Sequence, residues 1–160
     1  MDIKMEVDDK GVKKALRKLS RHVEDMTPVM KKIGRKIVTS VQENFNREGR
    51  YSRKGSWRGG SKRWEPLAES TIKQRKRQGY WPGKILTRLG GLKGSIISHA
   101  GKDHVVVGTN VIYAAIHQFG GKAGRGHRAK IPARPFLVVQ DEDLEEIREE
   151  IADYIIGLLK

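Results

Sequence analysis

Apolar residues recur along this chain with two different periods, and the change of period divides it. Val12, Leu16, Leu19 and Val23 are spaced by four, three and four residues. That is one stripe of a 3.6-residue repeat, so a helix is predicted over 9–25, with Lys13, Lys14, Arg17, Lys18 and Arg21 on its other face. Thr27-Pro28 reads as the N-cap and first position of a second helix. Within it Val29, Ile33, Ile37, Val41 and Phe45 recur every fourth residue, Met30 and Val38 widen the stripe, and the end is predicted near Asn46, ahead of Gly49. Leu144, Ile147, Ile151, Ile155 and Leu158 mark a closing helix that runs from a cap at Asp141 to about Leu159. Its first turns are filled with carboxylates, where negative charge suits the helix dipole. The stripes of the first two helices are expected to be core.

The middle is less regular. Trp64-Glu65-Pro66-Leu67 is expected to dock on the core and open a short helix over about 68–78, with Ile72 and the stem of Arg75 facing inward. A turn follows over 79–83, and Gly90 and Gly91 flank another. Ile96 to Ala100, Gly101-Lys102-Asp103 and His104 to Gly108 then read as a β-hairpin, since Val105, Val106 and Val107 favour extended backbone. Tyr113, Ile116 and Phe119 fall at helical spacing, and Gly120-Gly121 ends that short helix. A strand is predicted from Ile131 to Val139; Pro132 and Pro135 cannot donate ladder hydrogen bonds, so it belongs at a sheet edge. Grouped helices around a hairpin argue for one α+β domain over residues 1–160: two N-terminal helices, a small, mostly antiparallel sheet, a C-terminal helix and long basic loops.

Two segments have no apolar period. Residues 47–63 carry four glycines, seven cations and the interleaved aromatics Tyr51 and Trp57. Residues 121–130 carry Lys122, Arg125, His127, Arg128 and Lys130 with no acidic residue. Both read as flexible loops that meet a partner rather than build a core.

Charge sharpens this picture. Residues 47–130 hold 19 Lys+Arg against 4 Asp+Glu, whereas residues 131–160 hold 3 against 8, and the whole chain carries +14. A basic middle beside an acidic end fits an anionic partner such as DNA, or copies of the chain associating head to tail. There is no cysteine, hence no disulfide framework. No run of about 18 apolar residues marks a membrane span, and the acidic opening MDIKMEVDDKG lacks the apolar stretch of a secretory signal.

Candidate chemistry is sparse. The five histidines show no metal-ligand spacing, none of the glycine pairs forms a phosphate-binding loop, and the carboxylates of the middle, Glu48, Glu65, Glu69 and Asp103, are too few for a two-metal nuclease. No catalytic residue, metal or cofactor is expected. His117 is expected to fix its loop by hydrogen bonds to backbone carbonyls.

Five pieces in order, WEPLAEST (64–71), ILTRLGGLKGSI (85–96), VVVGTN (105–110), YAAIHQFGG (113–121) and IPARPFL (131–137), resemble the phage virion-morphogenesis family, which includes tail-completion proteins of contractile-tailed phages. Leu89 stands where family members often carry Thr or Ser, so that turn lacks a hydroxyl cap. The resemblance implies a non-enzymatic structural protein of a phage or prophage that completes the tail or joins it to the head, located in the virion tail or neck. It implies other tail and neck proteins as partners, a homo-oligomeric ring, a hexamer by analogy with sixfold tails, and contact with DNA in the channel. Arg53, Lys54, Arg58, Lys122, Arg125, Arg128 and Lys130 are the expected contact residues. Trp64, Leu67, Tyr113, His117, Phe119, Gly120, Pro132, Arg134 and Phe136 are expected to secure the fold, with Arg134 paired to an acidic residue of the last helix. The alternative reading is a non-enzymatic, basic nucleic-acid-binding protein, which the charge explains equally well.

Overall fold

The computed structural model describes residues 10–50 and 63–159. Its elements run α1 (Lys10–Val23), α2 (Thr27–Asn46), α3 (Glu69–Arg77), α4 (Gly91–Gly94), the strands β1 (Ile97–Ala100) and β2 (Val105–Gly108), α5 (Ala114–Phe119), the strands β3 (Gly121–Ala123) and β4 (Ala129–Ile131), and α6 (Asp141–Leu159). The fold is α+β, and its strands form two separate antiparallel hairpins, β1–β2 and β3–β4.

Helix α2 is the axis of the molecule. Its Val29, Met30 and Ile33 pack against Ile147, Ile151 and Tyr154 of α6 and against Ala100 and Val105 of the first hairpin. One turn and more further on, Val41 and Phe45 join Trp64, Ile85, Leu92, Ile96, Ala114 and Phe136 in the larger core. Phe45 meets Trp64 edge-on at 5.5 Å and Phe136 at 5.2 Å. Gly34 lets the helix lie flat on the hairpin: a Cβ there would come to 2.9 Å from Ser98 Oγ and 3.0 Å from Val105 Cγ2.

Helix α1 forms over nearly the predicted span, but Leu16 and Val23 of its stripe are not core. It packs along α6, yet Leu16 remains 59% exposed and Val23 is exposed too. Periodicity reports a helix face, and burial needs a second surface to cover that face.

The caps also differ from the expected ones. At α2 the Thr27 amide donates to Asp25 Oδ1 at 3.0 Å, so Asp25 rather than Thr27 supplies the capping oxygen. A hydrogen bond from the Thr27 hydroxyl first, and this amide bond second, hold the Asp25 carboxyl below the usual carboxylate range. At α6 the Asp143 carboxylate reaches back to the Gln140 amide at 2.7 Å, the reciprocal half of a capping box. At α4 no side chain caps the helix, and Gly90 turns into it at φ 71°.

The strand predicted over 131–139 stops at Ile131. The prolines remove two donors, and the segment beyond is held by side chains instead. Asn44 Nδ2 donates to Pro135 O and Phe136 O at 3.3 and 3.1 Å. Trp64 Nε1 donates to Pro135 O at 2.9 Å. Gln118 Oε1 accepts from the amides of Phe136 and Leu137, both at 3.0 Å. Among the described residues no helix is long and apolar enough to cross a membrane.

Candidate functional site

Residues 121–130, expected as a flexible loop, are the second hairpin. Gly121 pairs with Ile131, Lys122 with Lys130 and Ala123 with Ala129. The tip is a short 3-10 turn over Arg125–His127, and Gly124, Gly126 and His127 adopt positive φ values of 76°, 68° and 55° there. Lys122, Arg125, Arg128 and Lys130 are all exposed. The register sets Lys122 directly opposite Lys130, a like-charge pairing that weakens an isolated ladder.

Beside this hairpin lies a cleft of about 900 Å3. Four stretches far apart in sequence wall it: Glu65 to Ala68 with the near side of α3, Leu86 to Leu92, the start of α5 through Tyr113 and His117, and Ala129 to Arg134. Arg134 ties two of these walls together. Its Nε donates to Glu65 O at 2.9 Å, its Nη2 to Pro66 O at 3.0 Å, and its amide to His117 O at 2.7 Å. The expected pairing of Arg134 with the last helix does not form. Arg75 likewise donates from Nη1 to a carbonyl, Lys84 O, at 2.9 Å.

Both guanidinium residues are buried, Arg134 to 5% exposure and Arg75 to 7%. Burial pushes both pKa values down; Arg88 lowers that of Arg75 further, and Arg75 lowers that of Arg134, against the opposing pull of Glu65 on Arg134. Arginine stays charged regardless. The cleft therefore concentrates cations whose hydrogen bonds go to neutral carbonyls.

His117 does not make the carbonyl bonds expected of it. Its Nδ1 is buried without a hydrogen-bond partner among the described residues, and its ring stands edge-on to Tyr113 at 5.9 Å. Burial first, and Arg134 second, lower its pKa and favour the neutral ring. Phe119 is 79% exposed and Tyr113 is exposed as well, so these two point outward rather than into the core. Gly120 is required where it sits: at φ 73°, a Cβ would meet Ala133 N at 2.8 Å and Ile131 O at 3.0 Å. Trp64 and Phe136 are buried, and Leu67 packs against the core from its edge.

Arg53, Lys54 and Arg58 lie outside the described residues. Arg50, from the same segment, is an anchor. Its Nη2 lies 3.2 Å from Asp143 Oδ1 and donates to Ser40 Oγ at 2.7 Å, while Nη1 lies 3.3 Å from Glu142. Sequence reasoning missed Asn44, Gln118 and Glu48, whose Oε1 accepts the Ile85 amide at 2.6 Å. A polar residue on an apolar helix face, as Asn44 is beside Val41 and Phe45, was the available signal.

The sequence pattern of the phage virion morphogenesis family matches residues 7–155. The chain belongs to that family. It is 35% identical over 159 residues to "Mu-like prophage FluMu G protein 2" of Haemophilus influenzae, covering 99% of each chain. It is 29% identical over 161 residues to "Putative capsid assembly protein G" of Escherichia phage Mu, covering 100% of this chain and 98% of that one. No solved structure matches it. Four of the five blocks that resemble the family, those from 64, 85, 113 and 131, meet in the cleft walls of this virion morphogenesis protein.

Proposed function

We propose that this phage assembly protein acts in tail completion or head–tail joining, through contacts between subunits and with other tail or neck proteins, in a ring of copies that the sixfold symmetry of tails makes a hexamer. The observation that carries this reading is the Lys122–Lys130 pairing on a hairpin without a single acidic residue. An isolated protomer gains nothing from it, whereas an acidic neighbouring surface offsets the repulsion. Arg125 and Arg128 extend the same surface to the tip. Arg53, Lys54 and Arg58 supply the matching charge in sequence.

The test neutralises both segments: Arg125 and Arg128, then Arg53, Lys54 and Arg58, to Gln. The melting temperature is expected to stay within a degree or so, because exposed charges contribute little to stability, while the yield of infectious particles collapses. Normal yield would refute the proposal. Steeply salt-dependent binding of the purified protein to random duplex DNA, lost in the same variants, would favour a nucleic-acid-binding role instead.

A further inference from the structure

The buried guanidiniums of Arg75 and Arg134 are bonded to carbonyls, repel each other, and open with Arg88 and Lys130 onto one cleft whose lining, among the described residues, includes a single carboxylate, Glu65. Glu65 attracts Arg134 and Glu48 attracts Arg75, but the four cations of the lining still outnumber these carboxylates, and a ligand that brings further negative charge offsets the excess. The cleft rim is also apolar: Leu89 is 70% exposed and Tyr113 is exposed beside it. A phosphate backbone would satisfy the cations and leave those side chains wet. A protein surface carrying both carboxylates and apolar side chains satisfies both.

Helix α6 carries such a surface. The side facing α2 holds Ile147, Ile151 and Tyr154. The outward side holds Glu145, Glu149, Asp153 and Ile156, all exposed and spaced by four, four and three residues, so they fall on one face. Among the described residues no part of the cleft wall belongs to α6, so the two surfaces are distinct, and a contact between them either repeats head to tail or is made twice in a two-fold pair.

We infer that the cleft receives the outward acidic face of α6 from a second copy of this chain, with Glu149 and Asp153 meeting the cations of the cleft and Ile156 meeting Leu89 and Tyr113. This rests on the proposal that the protein works through contacts between subunits, and it names the two faces involved.

Sedimentation of the full-length protein over a concentration series tests it. Arg88→Glu with Lys130→Glu reverses the exposed charge of the cleft and leaves Arg75 and Arg134, which hold the walls, untouched. Glu149→Lys with Asp153→Lys reverses the helix. Each pair is expected to weaken self-association about tenfold or more, and the two pairs combined to restore it. Leu89→Asp, at an exposed position, is expected to weaken it as well, and serves if the charge-reversed cleft fails to fold. Unchanged association in these variants would overturn the inference while leaving the proposed function standing, with copies joined elsewhere. A wild-type protein that stays monomeric to about 1 mM would overturn it too; the particle-yield assay judges the proposed function independently. If Arg88→Glu with Lys130→Glu abolishes binding to duplex DNA and spares self-association, the occupant is phosphate and the inference fails.

Discussion

Lys122 and Lys130 are direct cross-strand partners in the β3–β4 ladder. Replacing Lys122 by Glu turns a repulsive pair into an attractive one. The protein is expected to gain roughly 0.2–1 kcal/mol, read as a small rise in thermal midpoint, and to lose particle yield. A variant that melts earlier would mean that the hairpin is not held against its own charge.

Asp143 collects the Arg50 guanidinium, the Ser40 hydroxyl at 2.6 Å and the Gln140 amide on one carboxylate. Asp143→Ala leaves Arg50 buried with the Ser40 hydroxyl and the more exposed Glu142 and Glu43 in place of its closest carboxylate, so a loss of about 3–5 kcal/mol is expected in urea unfolding. Removing both partners, as Arg50→Met with Asp143→Leu, is expected to cost less than Asp143→Ala alone. Equal costs would show that burial of the lone charge is not the cause.

Gln118 accepts two amides and donates from Nε2 to Leu137 O at 3.2 Å. Gln118→Ala strands those groups, and a cost of about 1–3 kcal/mol is expected. Gln118→Glu keeps the acceptor and should recover part of it. Denaturant midpoints of the two variants decide this.

His117 carries a pH signature. Burial lowers its pKa from the ordinary 6.5, so the unfolded chain takes up a proton that the folded one refuses. The stability it supports is complete above pH 6.5 and is lost as the pH falls from there toward the lowered value. Melting temperatures taken from neutral pH to about pH 5 should fall less steeply in His117→Gln. Parallel slopes would place the proton uptake elsewhere.

Much of the backbone was legible from local spacing. The α2 stripe from Val29 to Phe45, the α6 stripe from Leu144 to Leu158 and the first hairpin around Gly101 all stand close to their predicted bounds. The second hairpin was not, because glycine-rich basic sequence has no alternation to read, and its pairing exists only as hydrogen bonds between strands. Of the cleft, the blocks of sequence were visible but not their meeting.

Local repeats alone determined the order and kind of the main elements, since side-chain direction follows backbone geometry within a few residues. Tertiary structure alone decided that Leu16 faces water, that Arg134 bonds Glu65 O and Pro66 O rather than the last helix, and that Arg50 takes the acidic residues of α6 instead. Which carbonyl or carboxylate reaches a guanidinium depends on segments some seventy to ninety residues away folding back upon it, and no local pattern encodes that distance.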